Sequence, residues 1–364
     1  MLLSKVAGPA SRPGAGTRSI AVLQLGRALA AIAVVFSHTV VPTNTVVEQM
    51  PVLVEALLDY GYLGVDFFFV LSGFIIYYTN VNRYTEPGWA WQFTRSRLSR
   101  IYLPYLPIAV GLALLHTASP GHRMGGDPWN WFATLTLIPV GAKSVMGIAW
   151  TLTYELAFYA LALFFFRSRE PIAWACVWAV SIVLGQMVFG SFGSPPPLSI
   201  ASIFFNPINL EFVFGILAAW AVINGQPKSN LVFLLGGLMC FAAFVADGGQ
   251  RDHSWMLGLG LAILLVPVVR AEQAGRIRVS MFSVLLGNAS YAIYLIHPPL
   301  VSAVARVVGR IGPIDSWKVS VLASVFTAVT AGLAYHLIFE KPILRLVSGK
   351  PGKSSELRSA PIEA

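Results

Sequence analysis

Apolar residues along the chain fall into ten blocks of roughly membrane-spanning length, separated by short polar stretches. The blocks cover residues 21–41, 60–79, 101–117, 150–166, 171–189, 207–223, 231–246, 255–269, 284–305 and 319–338. A transmembrane helix needs about 20 mostly apolar residues, because the bilayer core holds no water and every backbone group must be bonded within the helix. The pattern therefore predicts an all-α, polytopic integral membrane protein, a bundle of about ten transmembrane helices.

Composition excludes a water-soluble globule. Of the 364 residues, 56% are apolar and only 11% are charged, against ~45–50% and ~25% in ordinary soluble domains. The first apolar block is too long for a signal-peptide core, so we expect an uncleaved first helix. We expect a cytoplasmic N-terminal segment at 1–19, a transmembrane domain at 20–345 and a disordered cytoplasmic tail at 346–364.

Positive charge is distributed unevenly between alternate loops. When the N-terminus is placed inside, nineteen of the 25 Lys and Arg residues fall on the inner side and six on the outer side. Cytoplasmic loops retain Lys and Arg, so this asymmetry predicts that both termini are cytoplasmic. The short apolar segment 128–139 would invert every later loop if it spanned, so we expect an interfacial or re-entrant element at the outer surface. The net charge of +9 thus reflects topology, and no nucleic-acid partner is expected because basic and aromatic residues are not interleaved.

The first apolar block contains two ionisable residues, Arg27 and His38, eleven positions apart. At ~100° and ~1.5 Å per residue they share one helix face and lie about 16 Å apart, with Arg27 in the inner half and His38 in the outer half. A charge at mid-membrane disfavours insertion by about 2.5–3.5 kcal/mol, so such groups must face a polar cavity or one another. The spacing predicts a buried polar site.

Four further ionisable residues are predicted at the depth of His38. Asp66 and Glu155 lie near the starts of inward-running helices, Glu211 occupies a similar position, and His297 comes late in an outward-running helix. A histidine beside carboxylates is the pattern of a general base with an orienting partner. The structural alternative is a set of buried ion pairs that fix helix register, or, for His297, a simple helix end.

Arg97 and Arg100 lie one helical turn apart on the predicted inner side. They would share a face, and their bidentate guanidinium groups suit a diphosphate, although a cytoplasmic arginine cluster also serves as a topology anchor. No Gly-x-Ser-x-Gly or His-Glu-x-x-His motif occurs, so neither a serine nucleophile nor a metal site is predicted. Cys176 and Cys240 fall inside apolar blocks and indicate no disulfide.

Five motifs together resemble the membrane-bound acyltransferase-3 family over about residues 20–345. The motifs are Arg27-x10-His38, Gly64-Val65-Asp66-Phe67-Phe68-Phe69, Arg97-x-x-Arg100, Trp150-Thr151-Leu152-x-x-Glu155 and Ser290-Tyr291-x-x-Tyr294-Leu295-x-His297. The sequences of Ala149–Glu155 and Asn206–Phe212 are similar to those of the branch of this family that acylates bacterial exopolysaccharides.

This resemblance implies an acyl-CoA donor, acetyl-CoA by expectation, on the cytoplasmic side and a sugar hydroxyl as acceptor on the outer side. His38 would be the catalytic base, supported by Asp66 and Glu155. Arg27, Arg97 and Arg100 would bind the CoA donor, and no cofactor would be bound permanently. Because the chain ends soon after the tenth block, we expect the transfer to be completed by membrane residues or handed to a separate partner.

Two other classes of function remain open from the residues. A transporter or flippase of an acylated glycan or lipid would use the same His, Asp and Glu residues as a relay. A structural subunit of a polysaccharide synthase complex would need none of them for acylation. The acyl group, the acceptor, a homodimeric state and a covalent acyl-histidine are not determined by the sequence.

Overall fold

The computed structural model describes residues 20–118, 129–138, 141–189, 199–225, 230–249, 253–311 and 316–348. Within these ranges the chain is almost entirely helical and forms no β-strand. The helices are α1 (Ala21–Val46), α2 (Val52–Asp59), α3 (Gly64–Asn80), α4 (Trp89–Ala118), α5 (Trp131–Thr136), α6 (Trp150–Arg167), α7 (Pro171–Phe189), α8 (Ile200–Phe205), α9 (Leu210–Asn224), α10 (Asn230–Ala246), α11 (Ser254–Gln273), α12 (Met281–Ile311), α13 (Ser316–Tyr335) and α14 (Lys341–Ser348).

The described helices confirm the predicted polytopic bundle. Nine continuous helical runs are long and apolar enough to cross a membrane, and α10 is a further apolar helix of 17 residues. Each of the ten predicted apolar blocks coincides with one of these runs. The side of the membrane on which each end lies stays a prediction.

Helix α3 packs against α9 with the two backbones in direct contact. A methyl group placed at Gly73 would lie 2.0 Å from the backbone oxygen of Phe212, and one placed at Gly215 would lie 2.0 Å from that of Val70. Small residues allow such close approach in membranes, where helix association depends on packing. The crossing therefore places residues 70–74 of α3 against residues 212–216 of α9.

Helices α1 and α12 run side by side in the same direction. Gly287 meets the backbone oxygen of Gln24, and 22 residues later Gly309 meets that of Val46. Equal intervals on both helices keep them in register over their whole contact. Helix α12 continues through Pro298 and Pro299 without ending, so the structural alternative in which His297 ends a helix is not observed.

The segment predicted to lie at the membrane surface forms a single short helix. Helix α5 has six residues, far too few to span, and its backbone accepts hydrogen bonds from Tyr102 and Tyr105 of α4. Residues 1–19 and 349–364, which belong to the predicted terminal segments, lie outside the described residues. Helix α14 continues to Ser348, three residues past the predicted end of the membrane domain.

Candidate active site

A cavity of about 80 Å³ lies between α1, α3, α4, α6 and α12. Four of the six predicted site residues line it, and they come from three helices: Arg27 from α1, Arg97 and Arg100 from α4, and Glu155 from α6. We call it the arginine cavity. Arg27 and Glu155, for which the sequence predicts a polar cavity, thus share one with Arg97 and Arg100.

Arg27 is held in the arginine cavity by helix α12. Its Nε donates to the hydroxyl of Ser290 at 3.2 Å and to the backbone oxygen of Gly287 at 3.3 Å. Both bonds are made by Nε, and Arg27 also lines the arginine cavity. Arg27 depends on the close packing of α1 on α12 for this position.

Glu155 is oriented by two hydroxyl groups. Tyr159, one turn later on α6, donates a short hydrogen bond to Oε1, and the Ser72 hydroxyl of α3 donates to the same oxygen at 3.1 Å. Within the described part of the chain, Glu155 forms no ion pair with the three arginines that share its cavity. N–H donors of the three guanidinium groups therefore stay available to a further acceptor. The Nε of Arg97 is buried without a hydrogen-bond partner among the described residues.

The Arg97 guanidinium is stacked between aromatic rings. Its central carbon lies 5.7 Å from the ring centre of Phe93 and 5.8 Å from that of Tyr159. Such cation–π contacts stabilise and orient a guanidinium group. Neither Tyr159 nor Ser72 was selected from the sequence, although the i,i+4 spacing of Glu155 and Tyr159 is a pattern that could have indicated the contact.

A larger pocket of about 860 Å³, which we call the vestibule, opens beside the arginine cavity. Arg97 and Arg100 line both, so their side chains stand between the two spaces. The basic residues lining the vestibule are Arg83, Arg95, Arg97, Arg100, Lys341 and Arg345. Glu340 is the one carboxylate among its described lining residues, so the vestibule is strongly cationic and suited to a polyanion.

A π-helical turn at His336–Glu340 forms part of the vestibule wall. His336 Nδ1 and Glu340 Oε2 are 2.8 Å apart, and both residues are buried. Tyr335 fixes the preceding turn by donating to the backbone oxygen of Pro104 at 2.8 Å. Apolar periodicity gives no signal of this turn, which is why the sequence did not indicate its contribution.

His38 lies outside the arginine cavity, against a second histidine. The ring centres of His38 and His297 are 4.6 Å apart with their planes at 83°. The Nδ1 of His38 is 2.9 Å from the backbone oxygen of Val34, and since a carbonyl only accepts, Nδ1 carries the proton. In the neutral ring the Nε2 of His38 therefore has the lone pair that a general base needs.

Tyr294 lies between the histidines and the arginine cavity. It lines the cavity, and its ring centre is 5.6 Å from that of His297 and 6.1 Å from that of Phe68. Its hydroxyl is fixed by Thr151 at 3.0 Å. Tyr294 therefore lines the arginine cavity and also contacts the ring of His297.

Asp66 is placed with Glu211 and does not line the arginine cavity. The two carboxyl groups are buried and interact electrostatically where α3 packs on α9, and the carboxyl oxygens of Glu211 form no hydrogen bond with any described residue. Helix α11 closes the space, because a methyl group at Gly258 would meet the Glu211 side chain at 2.6 Å.

The single layer of five groups expected from helix starts is thus divided into three places. His38 contacts His297, Asp66 contacts Glu211, and Glu155 joins the arginines. The prediction of one layer requires the starts of α3 and α6 to lie at the same depth in the membrane. In the structure Glu155 bonds Ser72, which lies six residues, or about 9 Å, beyond Asp66 on α3. Among the described residues no group of three His, Cys, Asp or Glu side chains could hold a metal ion.

The fold and this site define a class: a multi-pass membrane protein with a cationic vestibule that leads to a buried Arg–Glu cavity. Residues 20–338 match the family described as "Acyltransferase domain", and the chain belongs to this acyltransferase-3 family. The exopolysaccharide production protein ExoZ of Rhizobium meliloti (strain 1021) is 28% identical over 324 residues, which span 81% of this chain and 95% of that protein. The acyltransferase MdmB of Streptomyces mycarofaciens is 24% identical over 371 residues, 92% of this chain and 93% of that protein. No solved structure gives a significant match.

Membership fixes the general activity and setting. The chain is a multi-pass membrane acyltransferase, and the bacterial origin of both relatives is consistent with the inner membrane. The family implies an acyl donor and a carbohydrate acceptor.

Proposed function

We propose that the protein is an O-acyltransferase that moves an acyl group, acetyl in the first instance, from acyl-CoA to a hydroxyl of an extracytoplasmic polysaccharide. The observation that carries the proposal is the pair of adjoining spaces, a cationic vestibule and a buried arginine cavity, joined at Arg97 and Arg100. Both termini would be cytoplasmic, with the vestibule open to the cytoplasm, in agreement with the predicted excess of inner-side Lys and Arg.

The vestibule fits the nucleotide end of CoA. A nucleotide with a diphosphate and a further phosphate group carries several negative charges, which the six basic side chains of the vestibule would balance. Arginine forks bind phosphate oxygens in pairs. The thioester arm would then enter between Arg97 and Arg100 and lie in the arginine cavity beside Arg27.

His38 would act as the general base. Its Nε2 takes the proton of the acceptor hydroxyl, the oxygen attacks the thioester carbonyl, and the proton passes to the departing thiolate to give CoA. The bond from Nδ1 to Val34 supports this role because it sets the required tautomer. In this proposal the thioester passes Tyr294 to reach His38.

Glu155 has a different role in this proposal from the one inferred from the sequence. It lines the same cavity as the arginines, where its negative charge would offset part of theirs. The name of the relative ExoZ, an exopolysaccharide production protein, supports a polysaccharide as the acceptor.

The test is transfer of label from radiolabelled acetyl-CoA to a bacterial polysaccharide fraction by the purified protein in nanodiscs, with release of free CoA measured in parallel. His38→Ala should abolish both acceptor-dependent signals. His116→Ala is the matched control. Like the Nδ1 of His38, the Nδ1 of His116 lies near the backbone oxygen of the residue four positions earlier, here Leu112 at 2.8 Å, but His116 lines neither the arginine cavity nor the vestibule.

Each alternative predicts a different result. A transporter would release no CoA in an acceptor-dependent way with acetyl, succinyl or other short acyl donors. A structural subunit would give equal acylation with wild type and His38→Ala. Either result from folded protein would overturn the proposed function.

A further inference from the structure

His297 combines complete burial with a ring nitrogen that has no partner. None of its surface is exposed, and Nε2 forms no hydrogen bond with any described group. The centre of its ring lies 4.6 Å from that of His38 and 5.6 Å from that of Tyr294. An unsatisfied buried polar atom costs about 1–3 kcal/mol, so an apolar side chain would be cheaper at this position.

The other ring nitrogen of His297 has a structural role. The backbone oxygen of Tyr294 would normally accept from the residue four positions later, but that residue is Pro298, which has no N–H. The Nδ1 of His297 lies 2.7 Å from this oxygen and replaces the missing donor. The missing backbone donor of Pro298 therefore explains why a side-chain donor is needed at Nδ1. It gives no structural function to Nε2, which carries the lone pair.

We propose that His297 is a positioning residue that acts through His38, so that the two imidazoles form one functional pair. This inference rests on the proposed function. When His38 takes the acceptor proton it becomes a cation, and the neighbouring ring of His297, whose centre is 4.6 Å from that of His38, carries a lone pair at Nε2 instead of a second N–H. His297 stays neutral throughout. The proton moves from the acceptor hydroxyl to His38 and then to the thiolate of CoA.

Two substitutions separate the two nitrogens. The side-chain amide nitrogen of His297→Asn can replace Nδ1 but nothing replaces Nε2, whereas His297→Gln reaches the Nε2 position and loses the Nδ1 donor. We expect His297→Asn to lower kcat at least tenfold, with the KM for acetyl-CoA and for acceptor within twofold of wild type. We expect His297→Gln to retain a higher kcat than His297→Asn.

A purely structural role predicts the reverse order. Folded His297→Asn with kcat within twofold of wild type, or His297→Gln no faster than His297→Asn, would overturn the inference. The double variant of His38→Asn and His297→Asn should be no slower than His38→Asn alone, since residues that act as a unit are non-additive. Additive losses would also overturn it.

The failure of the inference is distinguishable from failure of the proposed function. If His38→Asn is inactive and His297→Asn is fully active, only the inference fails; if His38→Asn is fully active, the assignment of the base fails as well. A measurement on the wild type needs no variant: nitrogen NMR of the protein labelled in its histidines, in liposomes. The His297 signals should show a protonated Nδ1 and an unprotonated Nε2, and a proton on Nε2 would refute the pair.

Discussion

One methyl group added at the α1–α12 contact should displace Arg27 from its partners on α12. In Gly287→Ala the new Cβ would lie 2.1 Å from the backbone oxygen of Gln24, whereas real Cβ contacts stay beyond 3.0 Å. The two helices must therefore separate locally by about 0.9 Å, the difference between those distances. The bonds from Arg27 to Ser290 and Gly287, now 3.2 and 3.3 Å, would lengthen past 4 Å if the movement falls along them.

A misplacement of about 1 Å lowers enzymatic rates on the order of 100-fold, so we expect Gly287→Ala to reduce acetyl transfer by roughly that factor. Overpacking should also lower stability by about 1–3 kcal/mol, a loss that thermal unfolding in detergent would measure. The matched control is Gly111→Ala on α4, where no heavy atom lies within 4 Å of the new methyl group. If folded Gly287→Ala transfers acetyl as fast as Gly111→Ala, the dependence of the site on this contact is refuted.

Three further outcomes follow from the site. Replacing Arg97 and Arg100 together by Ala should raise the KM for acetyl-CoA at least tenfold and leave the acceptor KM within twofold in initial-rate assays; equal changes in both would contradict a donor role. Glu155→Gln keeps the oxygen that accepts from Tyr159 and Ser72 but removes the charge, so turnover should fall about tenfold or more, and near-normal turnover would assign Glu155 to helix packing alone. Asp66→Asn preserves the size of a side chain that does not line the arginine cavity, so activity should stay within a few-fold of wild type, and complete loss with normal folding would show that the Asp66 carboxylate takes part in the chemistry.

The fold could be predicted because membranes impose a strict rule on the backbone. Every spanning segment must satisfy its own hydrogen bonds, which only a long apolar helix does here, so each apolar block became a helix, even the short α10. Prolines were less informative: Pro298 and Pro299 lie inside α12, where the His297 side chain replaces one lost donor.

The site could be predicted in composition but not in arrangement. Helical spacing predicts that Arg97 and Arg100 share a face, and both line the arginine cavity. The free-energy cost of a charge in the middle of the membrane predicts that Arg27 faces a polar cavity, as it does. The position of Glu155 depends on the axial offset between α3 and α6, which is fixed by the bond to Ser72. Such offsets arise from packing between helices distant in sequence, and no periodicity within one helix contains them.

Helix α1 carries residues of the vestibule, of the arginine cavity and of the histidine pair. Gln24 lines the vestibule, Arg27 lines the arginine cavity, and His38 lies beyond both beside His297. Fourteen residues separate Gln24 from His38, about 21 Å along the helix. If phosphates occupy the vestibule, the reacting carbonyl must be carried on an extended arm of comparable length. Binding energy from the vestibule would then be used to draw the thioester past Tyr294, so that vestibule substitutions lower kcat as well as donor affinity. Under the proposed function, this separation of recognition from chemistry along one helix would allow a donor bound on one side of the membrane to react with an acceptor on the other.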